Sequence, residues 1–220
     1  LAGGQNTFVL ATCNKYTYSG DTVTAATSLG TARRTLGSAG NATLAIFAGG
    51  TIPGVTAVTD KYTYSGDIRA AGTNLGTARQ GAAGAGNSTR GIFAGGTTGT
   101  VTAVADKYTY AGDTRVAGTS LGTARTSHAA AGNTTVGIFA STVTDKYTYS
   151  TDVVTAGTAL VVTRASLGAT SNATLAIFAG GVSSAVTDKY TFSGDTVVAG
   201  TSLGSARSFP CGNSSTPGGL

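Results

Sequence analysis

The stretch Asp60-Lys61-Tyr62-Thr63-Tyr64-Ser65-Gly66-Asp67 decides how this chain is read. It returns as Asp106 to Asp113 with Ala111 for Ser, as Asp145 to Asp152 with Thr151 for Gly, and as Asp188 to Asp195 with Phe192 for the second Tyr. A fifth copy, Asn14 to Asp21, has Asn for the first Asp. Every Tyr, every Lys and every acidic residue falls in this motif, and there is no Glu. Such a chain is a repeat protein, and its physics is read unit by unit.

The first tyrosines, Tyr16, Tyr62, Tyr108, Tyr147 and Tyr190, recur at steps of 46, 46, 39 and 43 residues. From Tyr190 through Leu220 and on from Leu1 to Tyr16 is again 46 residues. Five units closing into a ring, one assembled from both termini, explain that remainder most simply. The whole chain, 1–220, is then one domain.

Within a unit, Arg33 to Ala39 reads as a short strand of small residues, and Gly40-Asn41-Ala42-Thr43 as a turn. Leu44 to Ala48 is an apolar run ended by Gly49-Gly50, a strand buried on both faces. Thr51 to Thr56 is a loop. Ala57 to Tyr64 alternates Val58, Tyr62 and Tyr64 against Lys61 and Thr63, as a third strand does. Ser65-Gly66-Asp67 turns the chain into a fourth strand, Ile68 to Leu75. No stretch shows a helical period, and essentially no helix is expected. Four short antiparallel strands in under 50 residues, repeated and closed, describe an all-β, five-bladed β-propeller. Leu1-Ala2-Gly3-Gly4 aligns with Phe47-Ala48-Gly49-Gly50. The N-terminus thus completes a blade whose first strand comes from Ala206 onward, which removes an open sheet edge.

Composition agrees. Gly supplies 34 of 220 residues and charged residues only 10%, against roughly a quarter usually, a mixture that suits strands and tight turns. No segment reaches the roughly 18 apolar residues of a membrane helix. The chain does not begin with Met and is read as a processed or partial product. The net charge of +5 is carried by Arg; it suits weak attraction to acidic groups, or solubility alone.

Arg33 with Gly49-Gly50 and Tyr62, Arg79 with Gly95-Gly96 and Tyr108, and Arg164 with Gly180-Gly181 and Tyr190 follow one order. In that order the chain resembles the kelch family, whose degenerate repeat specifies fold better than function. The family's Trp position, seven after the Tyr, holds Val23, Arg69, Arg115, Val154 and Val197. One repeat has Ala140-Ser141 for Gly-Gly and a shortened loop, Ser141-Thr142-Val143. The Asp-Lys-Tyr-Thr-Tyr pattern is similar to kelch-like arrays of bacterial surface and phage tail-type proteins. Kelch-type copper oxidases need His ligands and a modified Tyr beside a Cys, and this chain has one His, His128.

No Ser/His/Asp set has a geometric reason here, and no enzyme, metal or cofactor is expected. The two Asp of a motif flank a strand of roughly 20 Å, so they cannot share one calcium ion. Asp67 is expected to cap its own hairpin, and Asp60 and Lys61 to pair within or between blades. The two cysteines, Cys13 and Cys211, fall on strands of the composite blade about 10 Å apart. A disulfide tolerates Cα separations up to about 7 Å, so two free thiols are expected.

Arg33, Arg79, Arg125, Arg164 and Arg207 start the first strand of each blade. They are expected either to ring one channel mouth, with Arg34 on its edge, and bind an anionic group, or to tie blades together through backbone carbonyls. Arg69 and Arg115 are variable positions that break the repeat. Asn41, Asn87, Asn133, Asn172 and Asn213 open N-x-S/T triplets, which serve as turn formers or, in a secreted eukaryotic protein, as glycan acceptors. The function expected is a non-catalytic binding or structural module, extracellular, on a cell surface or on a virion. Its partner is a protein or glycan, acidic in character, within a larger assembly, and not nucleic acid. The competing classes are a secreted multivalent lectin and a galactose-oxidase-like fold lacking its metal site.

Overall fold

The computed structural model describes residues 2–208 and Pro210. The first hairpin of each of the four units described in full is set by an asparagine. Asn41 Oδ1 accepts from Thr43 N, Thr43 Oγ1 and Leu44 N at 2.9, 2.9 and 3.0 Å, an Asx turn. Asn87, Asn133 and Asn172 do the same. That turn joins β3 (Gly37–Gly40) to β4 (Leu44–Ala48). β4 pairs with β5 (Thr59–Thr63), and β5 with β6 (Ile68–Gly72), all antiparallel. The β5–β6 turn needs left-handed backbone: Gly66 has φ 80° and Asp67 φ 54°. Gly adopts this freely, and Asp better than most residues.

This four-stranded sheet, unit 2, is followed by three more in the same order. Unit 3 is β7 (Ala83–Gly86), β8 (Arg90–Ala94), β9 (Ala105–Thr109) and β10 (Thr114–Gly118). Unit 4 is β11 (Ala129–Gly132), β12 (Val136–Ala140), β13 (Thr144–Thr148) and β14 (Val153–Ala156). Unit 5 is β15 (Leu167–Ser171), β16 (Leu175–Gly180), β17 (Thr187–Thr191) and β18 (Thr196–Ala199). Unit 1 shows two strands, β1 (Cys13–Thr17) and β2 (Thr22–Ala26). Ala2 bridges Cys13 as Ala48 pairs with Thr59, so Ala2 stands to β1 as the last residue of β4 stands to β5. The repeated antiparallel sheets are compatible with a propeller-like fold. Among the described residues the single helical element is a 3-10 turn, Tyr18–Gly20.

The core lies between units. Phe93 of unit 3 packs with Ala39, Ile46 and Ala48 of unit 2. Phe139 joins Ala85, Ile92 and Ala94, and Phe178 joins Ala131, Ile138 and Ala140. The first strands run close together: a Cβ on Gly84 would lie 2.1 Å from Ser38 O, and one on Gly168 would lie 2.2 Å from Pro210 O. Pro210 therefore continues the series β3, β7, β11, β15. The contact that would join residues 211–220 to Ala2 lies outside the described residues.

Two expectations change. The strands are shorter, β6 ending at Gly72 and not Leu75. The pair standing for Gly-Gly in unit 4 is Ser141-Thr142 and not Ala140-Ser141, because β12 ends at Ala140 as β4 ends at Ala48. Gly49 and Gly50 have φ 67° and 106°, whereas the shortened loop of unit 4 closes by Ser141 N donating to Val143 O at 3.1 Å and needs no such backbone.

Candidate functional site

The repeated charges meet inside the protein. Arg33, wholly buried, donates through Nη1 to Asp60 Oδ2 at 2.5 Å, through Nη2 to Phe47 O at 2.9 Å and through Nε to Gly49 O at 3.0 Å. Arg79 pairs with Asp106 at 2.6 Å and Arg164 with Asp188 at 2.5 Å; Arg125 pairs with Asp145. These arginines were expected either at an anion-binding mouth or as ties between blades through backbone carbonyls. The structure instead places four of them within their own sheets, buried, each with an internal carboxylate as its anion. Besides carbonyls of their own unit, Arg33, Arg79 and Arg164 donate through Nη1 to Thr31 O, Thr77 O and Val162 O at 3.3, 3.2 and 2.7 Å, on the segment that arrives from the preceding unit. Arg207 differs: it is exposed, and it contacts Ser205 O at 3.5 Å and Ser205 Oγ at 3.2 Å. The position matching Asp60 in unit 1 is Asn14.

Arg69 and Arg115 are half-buried second cations on the same carboxylates: Arg69 Nε reaches Asp60 Oδ1 at 2.7 Å and Arg115 Nη1 reaches Asp106 Oδ1 at 3.2 Å. They cross over Gly30 and Gly76, where a Cβ would lie 1.3 Å from Arg69 Nη2 and 2.6 Å from Arg115 Nη1. Their repeat-breaking character thus has a structural partner. Arg34 is exposed, and its guanidinium is unpaired among the described residues.

The second Asp of the motif works across units in units 2 to 5. Asp67 Oδ1 accepts from Thr27 N at 3.0 Å and Asp67 O from Thr27 Oγ1 at 2.7 Å. Asp113 holds Thr73, Asp152 holds Thr119 and Asp195 holds Thr158 in the same way. The expected cap of its own hairpin is therefore a cap on the preceding unit. Lysines add to it: Lys61 to Asp113 at 3.5 Å, Lys107 to Asp152 at 2.6 Å and Lys146 to Asp195 at 3.0 Å. Burial alone would raise the Asp152 and Asp195 carboxyls. Hydrogen bonds from Lys107 and Tyr147, and from Tyr190, Lys146 and Thr158 N, outweigh it and hold them below the usual range.

Asn41 Nδ2 donates to Ser88 O at 2.9 Å, Asn87 Nδ2 to Thr134 O at 3.0 Å and Asn133 Nδ2 to Ala173 O at 3.3 Å. The nitrogen a glycan would use is thus engaged with the next unit; Asn213 lies outside the described residues. Cys13 is a buried free thiol, its pKa raised by burial, and Cys211 lies outside the described residues. His128 is buried beside Phe139, with neither ring nitrogen hydrogen-bonded. Burial, and then the Arg125 charge, depress it to about 3. Among the described residues no cluster of His, Cys or carboxylates could hold a metal.

Sequence reasoning missed one pairing. Units 3 and 4 have Gly91 and Gly137 where units 2 and 5 have Ala45 and Ala176. A Cβ at Gly91 would lie 3.0 Å from Tyr110 Oη, and one at Gly137 would lie 2.9 Å from Tyr149 Oη. Tyr110 and Tyr149 are buried there, whereas Tyr64, opposite Ala45, is 39% exposed. Unit 5 pairs Ala176 with Phe192, which has no hydroxyl. The joint variation of the two positions carried the signal.

A groove of about 530 Å³ opens between the turns of units 2 and 3, lined by Asn41, Thr43, Ser88, Arg90, Thr109 and Tyr110 among others. Arg90 is fixed by Nη1 donating to Tyr149 O at 2.6 Å. No family model matches the chain, and no curated protein matches it.

Proposed function

We propose that the chain is a five-bladed, kelch-like β-propeller acting as a non-catalytic binding or structural module outside the cytoplasm, on a cell surface or a virus particle. One observation carries the reading: each of the nine aspartates makes an ion pair or hydrogen bond within the protein. Carboxylates held this way build a scaffold and are not poised as acids, bases or nucleophiles. What varies between units is the surface: the loops after β4, β8, β12 and β16, Arg34, and the groove at Arg90. Variable loops on a rigid frame are where binding resides.

That groove favours a second reading, a multivalent lectin. Its hydroxyl and guanidinium groups suit the polar edges of sugars. Two measurements separate the readings. Stable co-purification with a surface or particle protein is expected for the structural module. Glycan-array retention at several sites per chain, one of them lost on Arg90→Ala, is the lectin's signature. Turnover of an array ligand overturns the non-catalytic reading.

A further inference from the structure

The contacts that join consecutive units have one set of halves left over. Unit 5 grips unit 4 through three contacts of two residues. Asp195 Oδ1 accepts from Thr158 N at 3.1 Å, Asp195 pairs with Lys146 at 3.0 Å, and Tyr190 stands over Gly157, where a Cβ would lie 3.3 Å from its hydroxyl. Unit 1 carries the same knob, Tyr16 and Asp21, with Tyr16 Oη donating to Asp21 Oδ1 as Tyr190 does to Asp195. Unit 5 carries the same socket, Gly200, Thr201 and Lys189.

In the described residues these halves do not meet. Tyr16 is 48% exposed, whereas Tyr62, Tyr108, Tyr147 and Tyr190 are between 0 and 9%. Asp21, Lys189 and Thr201 are exposed. The three atoms nearest a Cβ at Gly200 all belong to Thr187 of its own unit. Knob and socket are complementary in charge, with one carboxylate facing one ammonium.

We infer that the socket Lys189–Gly200–Thr201 takes the knob Tyr16–Asp21 of the same chain, as a further copy of a contact whose Thr–Asp part the protein makes four times and whose Lys–Asp pair it makes three times. The inference rests on the five-bladed reading and names the residues that lock the ring. Two further observations place the occupant in the same chain. Pro210 lies against Gly168 of β15 as Ala82 lies against Gly37 of β3, while Ala2 bridges Cys13 of β1 as Ala48 pairs with Thr59. In the five-bladed reading these belong to one blade, and a tethered partner outcompetes a free one through its effective concentration.

The test is zero-length cross-linking of the full chain by a water-soluble carbodiimide, using an equal mixture of unlabelled and nitrogen-15-labelled protein. Lys61–Asp113, Lys107–Asp152 and Lys146–Asp195 serve as internal standards. The expected result is an Asp21–Lys189 amide within single-isotope chains, in yield comparable to the standards and abolished by Lys189→Gln. A mixed-isotope Asp21–Lys189 product shows a second copy in the socket and overturns the inference. So does absence of the product while the standards form. Small-angle scattering separates the two readings: a closed ring without the cross-link sinks the lock alone, and an open arc sinks the ring as well.

Discussion

Unit 1 and unit 2 carry almost the same octapeptide and hold it differently. Tyr62 is 9% exposed and Tyr16 48%. Arg33 is enclosed with Asp60, while the matching Arg207 is exposed and its carboxylate position is Asn14. The local sequence therefore does not decide burial; the neighbouring unit does. Each core cluster is shared by two units, as expected of a quasi-one-dimensional repeat protein. Unit 1 shows what the motif looks like where such a neighbour is lacking among the described residues.

The largest expected effect comes from giving an inner unit the residue that unit 1 has. Asp106→Asn leaves Arg79 buried without its anion and strips Arg115 of its partner. Breaking a buried pair costs about 3–5 kcal/mol, and denaturant unfolding should show a loss of that order. Asn14→Asp in unit 1 should shift stability by about 1 kcal/mol or less, the scale of an exposed pair. Equal effects from the two substitutions would break the comparison.

His128 offers a pH-dependent version. Its folded pKa of about 3 lies below the ordinary 6.5. Below pH 6.5 the unfolded chain takes up a proton that the folded chain refuses, so stability falls as pH falls, down to about 3. From pH 7 to pH 4 this amounts to about 3 kcal/mol. The same register position holds Leu36 in unit 2 and Leu167 in unit 5, so His128→Leu should fold and remove that part of the acid limb in thermal melts at stepped pH. An unchanged acid limb refutes the assignment. Asp152 and Asp195, held low, lose their contribution only at still lower pH, as they protonate.

Much of this architecture was legible because it rests on local chemistry. The Asn41 turn, the Gly49-Gly50 stop and the Ser65-Gly66-Asp67 turn each force a backbone, and together they fix the strand order. The partners of the charged residues were not legible. Arg33 and Asp60 stand 27 positions apart, and nothing in their spacing separates an internal pair from an outward ring. Asp67 reaches back 40 positions to Thr27, a contact that exists only once two sheets are stacked. The Gly91–Tyr110 pairing was written in the chain, but only as a difference between repeats.

That pairing gives the third prediction. Gly91→Ala turns unit 3 toward unit 2, forcing Tyr110 outward from a slot with no room for a Cβ. The loss should be about 1–3 kcal/mol, typical of overpacking. Burial holds the Tyr110 phenol well above its usual range, and holds the more open Tyr64 at about 12. Spectrophotometric titration of Gly91→Ala should therefore show Tyr110 moving down toward Tyr64. Adding Tyr110→Phe recreates the Ala176–Phe192 pair of unit 5 and should recover most of the stability, with a coupling energy between contacting sites of about 0.5–3 kcal/mol. Additive losses would mean that the two positions do not share a slot.

The smallest effect tests the seam. Thr73 Oγ1 donates to Asp113 O at 2.5 Å, and Thr73→Val removes that donor while keeping the shape and the backbone bond to Asp113 Oδ1. The expected cost is about 1 kcal/mol, the net value of one hydrogen bond. Thr201 holds the same place in unit 5, and the residue of unit 1 that corresponds to Asp113 is Asp21. If units 5 and 1 meet as the others do, Thr201→Val costs the same as Thr73→Val in paired denaturant titrations, because the lost bond is the same bond. If unit 1 stands apart, Thr201→Val costs nothing measurable while Thr73→Val still does. The difference between the two titrations thus measures how far the contact repeated through units 1 to 5 extends around the molecule.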